Sequence, residues 1–156
     1  MDEITIIDVP TQTVLGIRRT GHYRLISELL PEIAIYATEQ GIPLLGPPIF
    51  VMHENNAEEA MAADQEGTAD VEAAFPVPEA TAPSPGMQVY LLPGGRMART
   101  FYRGPYEACE PTYLGLFAWL EGQGLSITGP MREVYHNDPR EVPPEEILTE
   151  ILAPVA

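Results

Sequence analysis

The sequence predicts an α+β domain made of two similar β-α-β-β halves, and three observations lead there. Sliding the chain by 83 positions lays residues 21–53 on 104–136 without a gap. Strand-like and helix-like apolar spacings then follow one another in the same order in both halves, and Pro and Gly fall at matching places between them. Gly21, Tyr23, Gln40, Gly41, Gly46, Pro47, Val51 and His53 meet identical residues at Gly104, Tyr106, Gln123, Gly124, Gly129, Pro130, Val134 and His136. These are eight identities in 33 positions, where ordinary composition yields about two, so an internal duplication is expected. Pro10 and Pro93 extend the match upstream. Beyond a loop five residues longer in the first half, Glu72, Pro76 and Val77 correspond to Glu150, Pro154 and Val155. The organisation expected is one domain over 1–156, with pseudo-repeats 1–78 and 86–156, a linker at 79–85, a pseudo-twofold axis and a central cleft where the halves meet.

In chain order, EITIIDV and TVLGIRR flank Pro10 and read as the two strands of a hairpin. Ile26, Leu29, Leu30, Ile33 and Ala37 recur at helical spacing, and Gly41 stops that helix in the C-cap manner. Strands follow at 49–53 and 71–77. Between them ENNAEEAMAADQEGTAD, at 54–70, is an acidic, Ala-rich loop with room for one short helical turn. In the second half MQVYLLP and RMARTFYR form the matching hairpin, with Pro93, Gly94 and Gly95 as its turn. Tyr113, Leu116, Phe117 and Leu120 mark a helix that stops at Gly124, and strands at 132–136 and 149–154 close the half. Pro31 and Pro111 fall near the helix starts or kink them.

Composition bounds the function. With 156 residues and 45% hydrophobic content a sizeable core is available. No run of about 18 apolar residues is present to cross a membrane, and the start lacks the basic and apolar regions of a secretory signal, so a cytoplasmic location is expected. Cys109, the single cysteine, has no partner for an internal disulfide and reads as a small packing residue. All eight basic residues are Arg, and the formal net charge is -15. A field of that sign repels phosphate backbones, which argues against direct nucleic-acid binding.

The repeat is broken where it matters. Glu133 falls in the middle of a strand, opposite Phe50 in the other half, and Tyr135 falls opposite Met52. Side chains alternate along a strand, so Glu133 and Tyr135 share one face, with Arg132, Val134 and His136 on the other. Phe50 and Met52 are large apolar residues expected to point inward, and by symmetry Glu133 and Tyr135 point inward too. A carboxylate there loses several kcal/mol of hydration unless it is paired, protonated or open to a wet pocket. Two structural explanations stand beside a functional one: an ion pair with Arg99 or Arg103, or a twist or bulge that turns the residue outward.

The duplicated layout, with GPYE at 104–107, FAWLEGQGL, GPMREVYHNDP and finally PPEEILTEI, resembles the GyrI-like small-molecule-binding domain. The same domain is the effector-binding part of AraC-type and MerR-type multidrug regulators. The resemblance covers essentially the whole chain and implies an SHS2-like β-α-β-β fold around a central cleft, in which a Glu on the strand matching REVY, here Glu133, contacts bulky cationic or aromatic ligands. A buried acid among aromatic walls attracts an organic cation in any case. The candidate walls are Phe50 and Tyr135, then Met52, Tyr90, Phe101, Tyr102, Tyr113 and Trp119. Trp119 matches Tyr36 as a symmetric packing residue would. A chain of this layout is expected to act without the helix-turn-helix module of the regulators.

Three functions are compared. The leading one is a stand-alone protein that captures hydrophobic, aromatic and cationic small molecules, with Glu133 as the charged anchor. The resemblance also implies an enzyme, a hydrolase of cyclopropane-containing alkylating compounds, with Glu133 as general base and Tyr135 as hydrogen-bond donor. The third is an acidic interaction protein, such as a gyrase inhibitor, supported by net charge alone. No cofactor or metal site is expected: His53 and His136 lack a third ligand and read as structural, His22 sits in a turn, and Glu72 and Glu150 serve strand edges.

Overall fold

The computed structural model describes residues 3–82 and 85–156. Within them the chain forms two compact units. One is continuous, Pro10–Gly94; the other is split, joining the segment that ends at Val9 to Gly95–Ala156. The expected linker residues Pro83 and Ser84 lie outside the described residues.

The continuous unit begins with β2 (Gln12–Gly21) and α1 (Ile26–Gln40), followed by β3 (Ile49–Met52), α2 (Ala57–Glu66), β4 (Ala69–Pro76) and β5 (Gln88–Leu92). Its strands lie antiparallel in the order β3-β4-β2-β5. α1 packs on β4 and β2 and buries Leu29, Ile33 and Ala37. Gly41 ends it with φ 68°, the left-handed conformation that glycine adopts without a Cβ penalty. Pro31 lies inside α1, where it denies the Ser27 carbonyl its usual donor four residues on.

The split unit joins β1 (Thr5–Val9) to β6 (Gly95–Arg103), α3 (Glu110–Gly122), β7 (Met131–Tyr135) and β8 (Leu148–Pro154). Its order is β1-β6-β8-β7, again antiparallel. Leu116 and Leu120 of α3 pack against Ala98, Met131, Ile151 and Ala153 to make its core. Pro111 occupies the first turn of α3, the place where a missing N–H costs nothing.

The two expected hairpins do not form. β1 pairs with β6, Ile6 opposite Ala98, and β5 pairs with β2, Tyr90 opposite Val14. The reason is local: a two-residue hairpin turn needs positive φ at its first residue, and Pro10 and Pro93, which would stand there, are held near -65°. Both units nevertheless keep the same register: Arg18 and Val51 flank Glu72, as Phe101 and Val134 flank Glu150.

Two further expectations are corrected. Glu72 and Glu150 lie on β4 and β8, which are paired on both sides, so they do not serve strand edges. The acidic stretch expected as a loop holds a ten-residue helix, α2, whose Asn56 side chain caps the Glu59 N–H at 2.8 Å and whose Gly67 closes it with φ 71°. No residue of α2 is buried, so apolar spacing, the signal that marks α1, is missing there. No helix among the described residues is long and apolar enough to cross a membrane.

Candidate functional site

The site grows from the alternation of β7. Glu133 stands opposite Ile151 and Tyr135 opposite Thr149, and Ile151 belongs to the core beneath α3, so both side chains take the helix-covered face. Tyr113 descends onto them from the first turns of α3. Its hydroxyl donates to Glu133 Oε2, and the Tyr135 hydroxyl donates to Oε1 at 2.8 Å. Tyr106, in a single 3-10 turn after β6, presents its ring edge-on to Tyr135, with centroids 5.4 Å apart.

Neither structural explanation for Glu133 holds. Arg99 and Arg103 stand opposite Leu152 and Leu148, on the other face of the sheet, and the Arg99 guanidinium lies 5.5 Å from the Phe101 ring centroid. The residue does not turn outward either: two phenols hold its carboxylate on the helix side. Burial pushes its pKa up, and the two phenol hydrogen bonds, which favour the charged form, offset only part of that. Burial raises the Tyr135 phenol well above its usual value, with the Glu133 charge adding to it. The same two causes push the half-buried Cys109 thiol up to about 11, which argues against a reactive thiolate.

Of the candidate wall residues, Tyr113 and Tyr135 stand beside Glu133. Phe101 does not: it pairs with Glu150, shares that opposite face, and leans on His136 at 6.1 Å. Tyr102 donates to the Pro105 carbonyl at 2.7 Å and packs, like Trp119, against the split unit's core. Phe50, Met52 and Tyr90 belong to the continuous unit. There Phe50 is buried with Tyr23 edge-on at 5.8 Å, and the Tyr90 hydroxyl donates to Glu72 Oε2 at 2.6 Å. Tyr106 was missed as a wall because it matches Tyr23 and reads as a mark of the repeat; GPYE was its only signal.

His53 Nε2 lies 2.6 Å from Glu72 Oε1 and His136 Nε2 2.8 Å from Glu150 Oε1, so both histidines sit against a strand carboxylate. Among the described residues no cluster of three metal-ligating side chains occurs. A depression of about 390 Å³ beside α1, lined by Tyr36, Ile42, Pro43 and Pro78 among others, has no charged side chain among the described residues of its wall.

The sequence pattern of the GyrI-like small molecule binding domain matches residues 2–156. No curated protein matches. Among solved structures, the C-terminal domain of EcmrR aligns over 100% of this chain and 98% of its own, at 20% identity and a TM-score of 0.86. EcmrR in its complex with DNA aligns at 21% identity and 0.84, over 98% of this chain but 57% of its own length. A hydrolase from Listeria innocua (15% identity, TM-score 0.69, 99% and 92% covered) and SAV2435 bound to tetraphenylphosphonium (14%, 0.60, 99% and 94%) share the fold as well.

Proposed function

The chain belongs to the GyrI-like small-molecule-binding family, and from that membership we propose that it captures hydrophobic aromatic cations, with the Glu133 carboxylate as the anchor. One observation carries this: a partly buried carboxylate whose hydrogen-bond partners among the described residues are two tyrosines and no base. It has the charge an organic cation needs, and among the described residues no internal cation is bonded to it. Tyr106, Tyr113 and Tyr135 surround it with ring surface, which attracts positive charge and stacks on flat ligands. SAV2435 was solved with a bulky cation of this kind, which makes tetraphenylphosphonium a suitable first probe. Titration of the wild type and Glu133→Gln with it should show affinity falling about tenfold or more, equivalent to about 1.4 kcal/mol. Unchanged affinity would reject the anchor.

A hydrolytic reading uses the same atoms: Glu133 takes a proton from a water whose oxygen bonds to an electrophilic cyclopropane carbon, the strained ring C–C bond breaks, and its electron pair passes into the carbonyl conjugated with the ring, which is then protonated. The raised Glu133 pKa favours it, and a fold relative is a hydrolase. The hydrogen bonding favours capture: the Tyr135 hydroxyl, which would assist the substrate, is already given to Glu133, and phenol donors lower the basicity of the carboxylate they bind. Chromatography of a cyclopropane-bearing alkylator incubated with the protein separates the two, and product formed by the wild type but not by Glu133→Gln would establish the hydrolase.

A further inference from the structure

The split unit is polar around Glu133 at positions where the continuous unit is apolar. Glu133, Tyr135 and Tyr113 stand where the repeat has Phe50, Met52 and Leu30, and Thr149 stands where it has Val71, one residue before the matched pair Glu150 and Glu72. Valine and threonine have nearly the same shape, so a hydroxyl replaces a methyl with no packing gained. Thr149 lies directly across from Tyr135 on β7 and from Tyr102 on β6. It therefore shares their face and is the diagonal neighbour of Glu133. It is 2% exposed, and its Oγ1 has no hydrogen-bond partner among the described residues. A buried hydroxyl without a partner destabilises a fold, and a ligand atom that supplies one is held in proportion.

We propose that Thr149 Oγ1 is the second polar contact of the Glu133 site, accepting a hydrogen bond from an N–H of a bound organic ammonium whose charge Glu133 holds. This rests on the reading of Glu133 as a cation anchor and narrows the ligand class to protonated primary or secondary amines on an aromatic frame. A quaternary ammonium or a phosphonium has the charge but no N–H to give. The hydroxyl lies below the accessible surface, so the amine reaches it by displacing a side chain, and Tyr106, 37% exposed and resting on Tyr135, is the ring placed to yield.

Two probes with one ring system test it: 1-naphthylmethylammonium and its N-trimethyl analogue, titrated calorimetrically into the wild type, Thr149→Val and Thr149→Ser. The ratio of the two affinities should shift about tenfold against the primary amine in Thr149→Val, with binding of the trimethyl analogue unchanged, and should stay at the wild-type value in Thr149→Ser. Thr149→Val should also melt about 2–4 °C higher, since valine fills the space without an unbonded hydroxyl. A valine variant that keeps the wild-type ratio overturns the contact, and so does one that weakens both probes equally, which marks a packing role. If the wild type binds neither probe, the anchor reading of Glu133 falls and this contact with it; binding of both with an unaltered ratio overturns Thr149 alone.

Discussion

Burial and hydrogen bonding pull the Glu133 proton in opposite directions, and burial is the larger pull. The sign of the pH response follows. A permanent cation needs the carboxylate ionised, so tetraphenylphosphonium affinity should rise as pH climbs from the ordinary carboxylate value of 4.5 through the raised value of the folded protein. Glu133→Gln should be flat over the same range. Tyr113→Phe or Tyr135→Phe removes a donor to the charged form, so the rise should move to higher pH; a shift to lower pH would contradict the hydrogen-bond assignment. Stability responds in the opposite sense. Because the folded pKa exceeds the unfolded one, the native state keeps its proton longer, and stability falls as pH rises between the two. The melting temperature of Glu133→Gln should therefore exceed that of the wild type by more at pH 8 than at pH 4.

At the scale of elements, the outer polar cluster of the continuous unit depends on a missing side chain. Tyr90 reaches Glu72 across Gly16, where a Cβ would stand 2.5 Å from the Tyr90 hydroxyl and 2.8 Å from the Ala73 carbonyl. Gly16→Ala should cost about 1–3 kcal/mol in urea unfolding, since the backbone contact has no room to yield; a cost near zero would show that β2 shifts freely. Much of this level was legible in advance. α1, α3 and the strands announced themselves through apolar spacing, and Glu133 through its contrast with Phe50. Strand pairing was not, because Pro10 and Pro93 carry a turn signal and at the same time a φ that excludes the two-residue turn. α2 buries nothing, so its caps at Asn56 and Gly67 were the only mark it left. Tyr106 and Thr149 escaped because one is identical to its counterpart and the other differs from it by a single atom exchange.

For the whole molecule, 23 acidic residues against eight basic ones leave a net charge of -15, which makes the folded state repel itself. Raising sodium chloride from about 20 to about 200 mM shortens the Debye length to below about 10 Å and should raise the melting temperature; no change would mean that the Arg18–Asp70 and Arg19–Glu32 bridges lose as much to screening as the rest gains. The crossing of β1 to β6 has a consequence for biogenesis. The continuous unit is complete once residue 94 has left the ribosome. β1 precedes its partner strand β6 by some 85 positions, and β8, which lies between β6 and β7, is the last of these strands to be translated. The half that holds Glu133 therefore matures after the other, and until its final strand arrives the nascent chain carries the continuous unit without the assembled cluster of Glu133, Tyr113 and Tyr135.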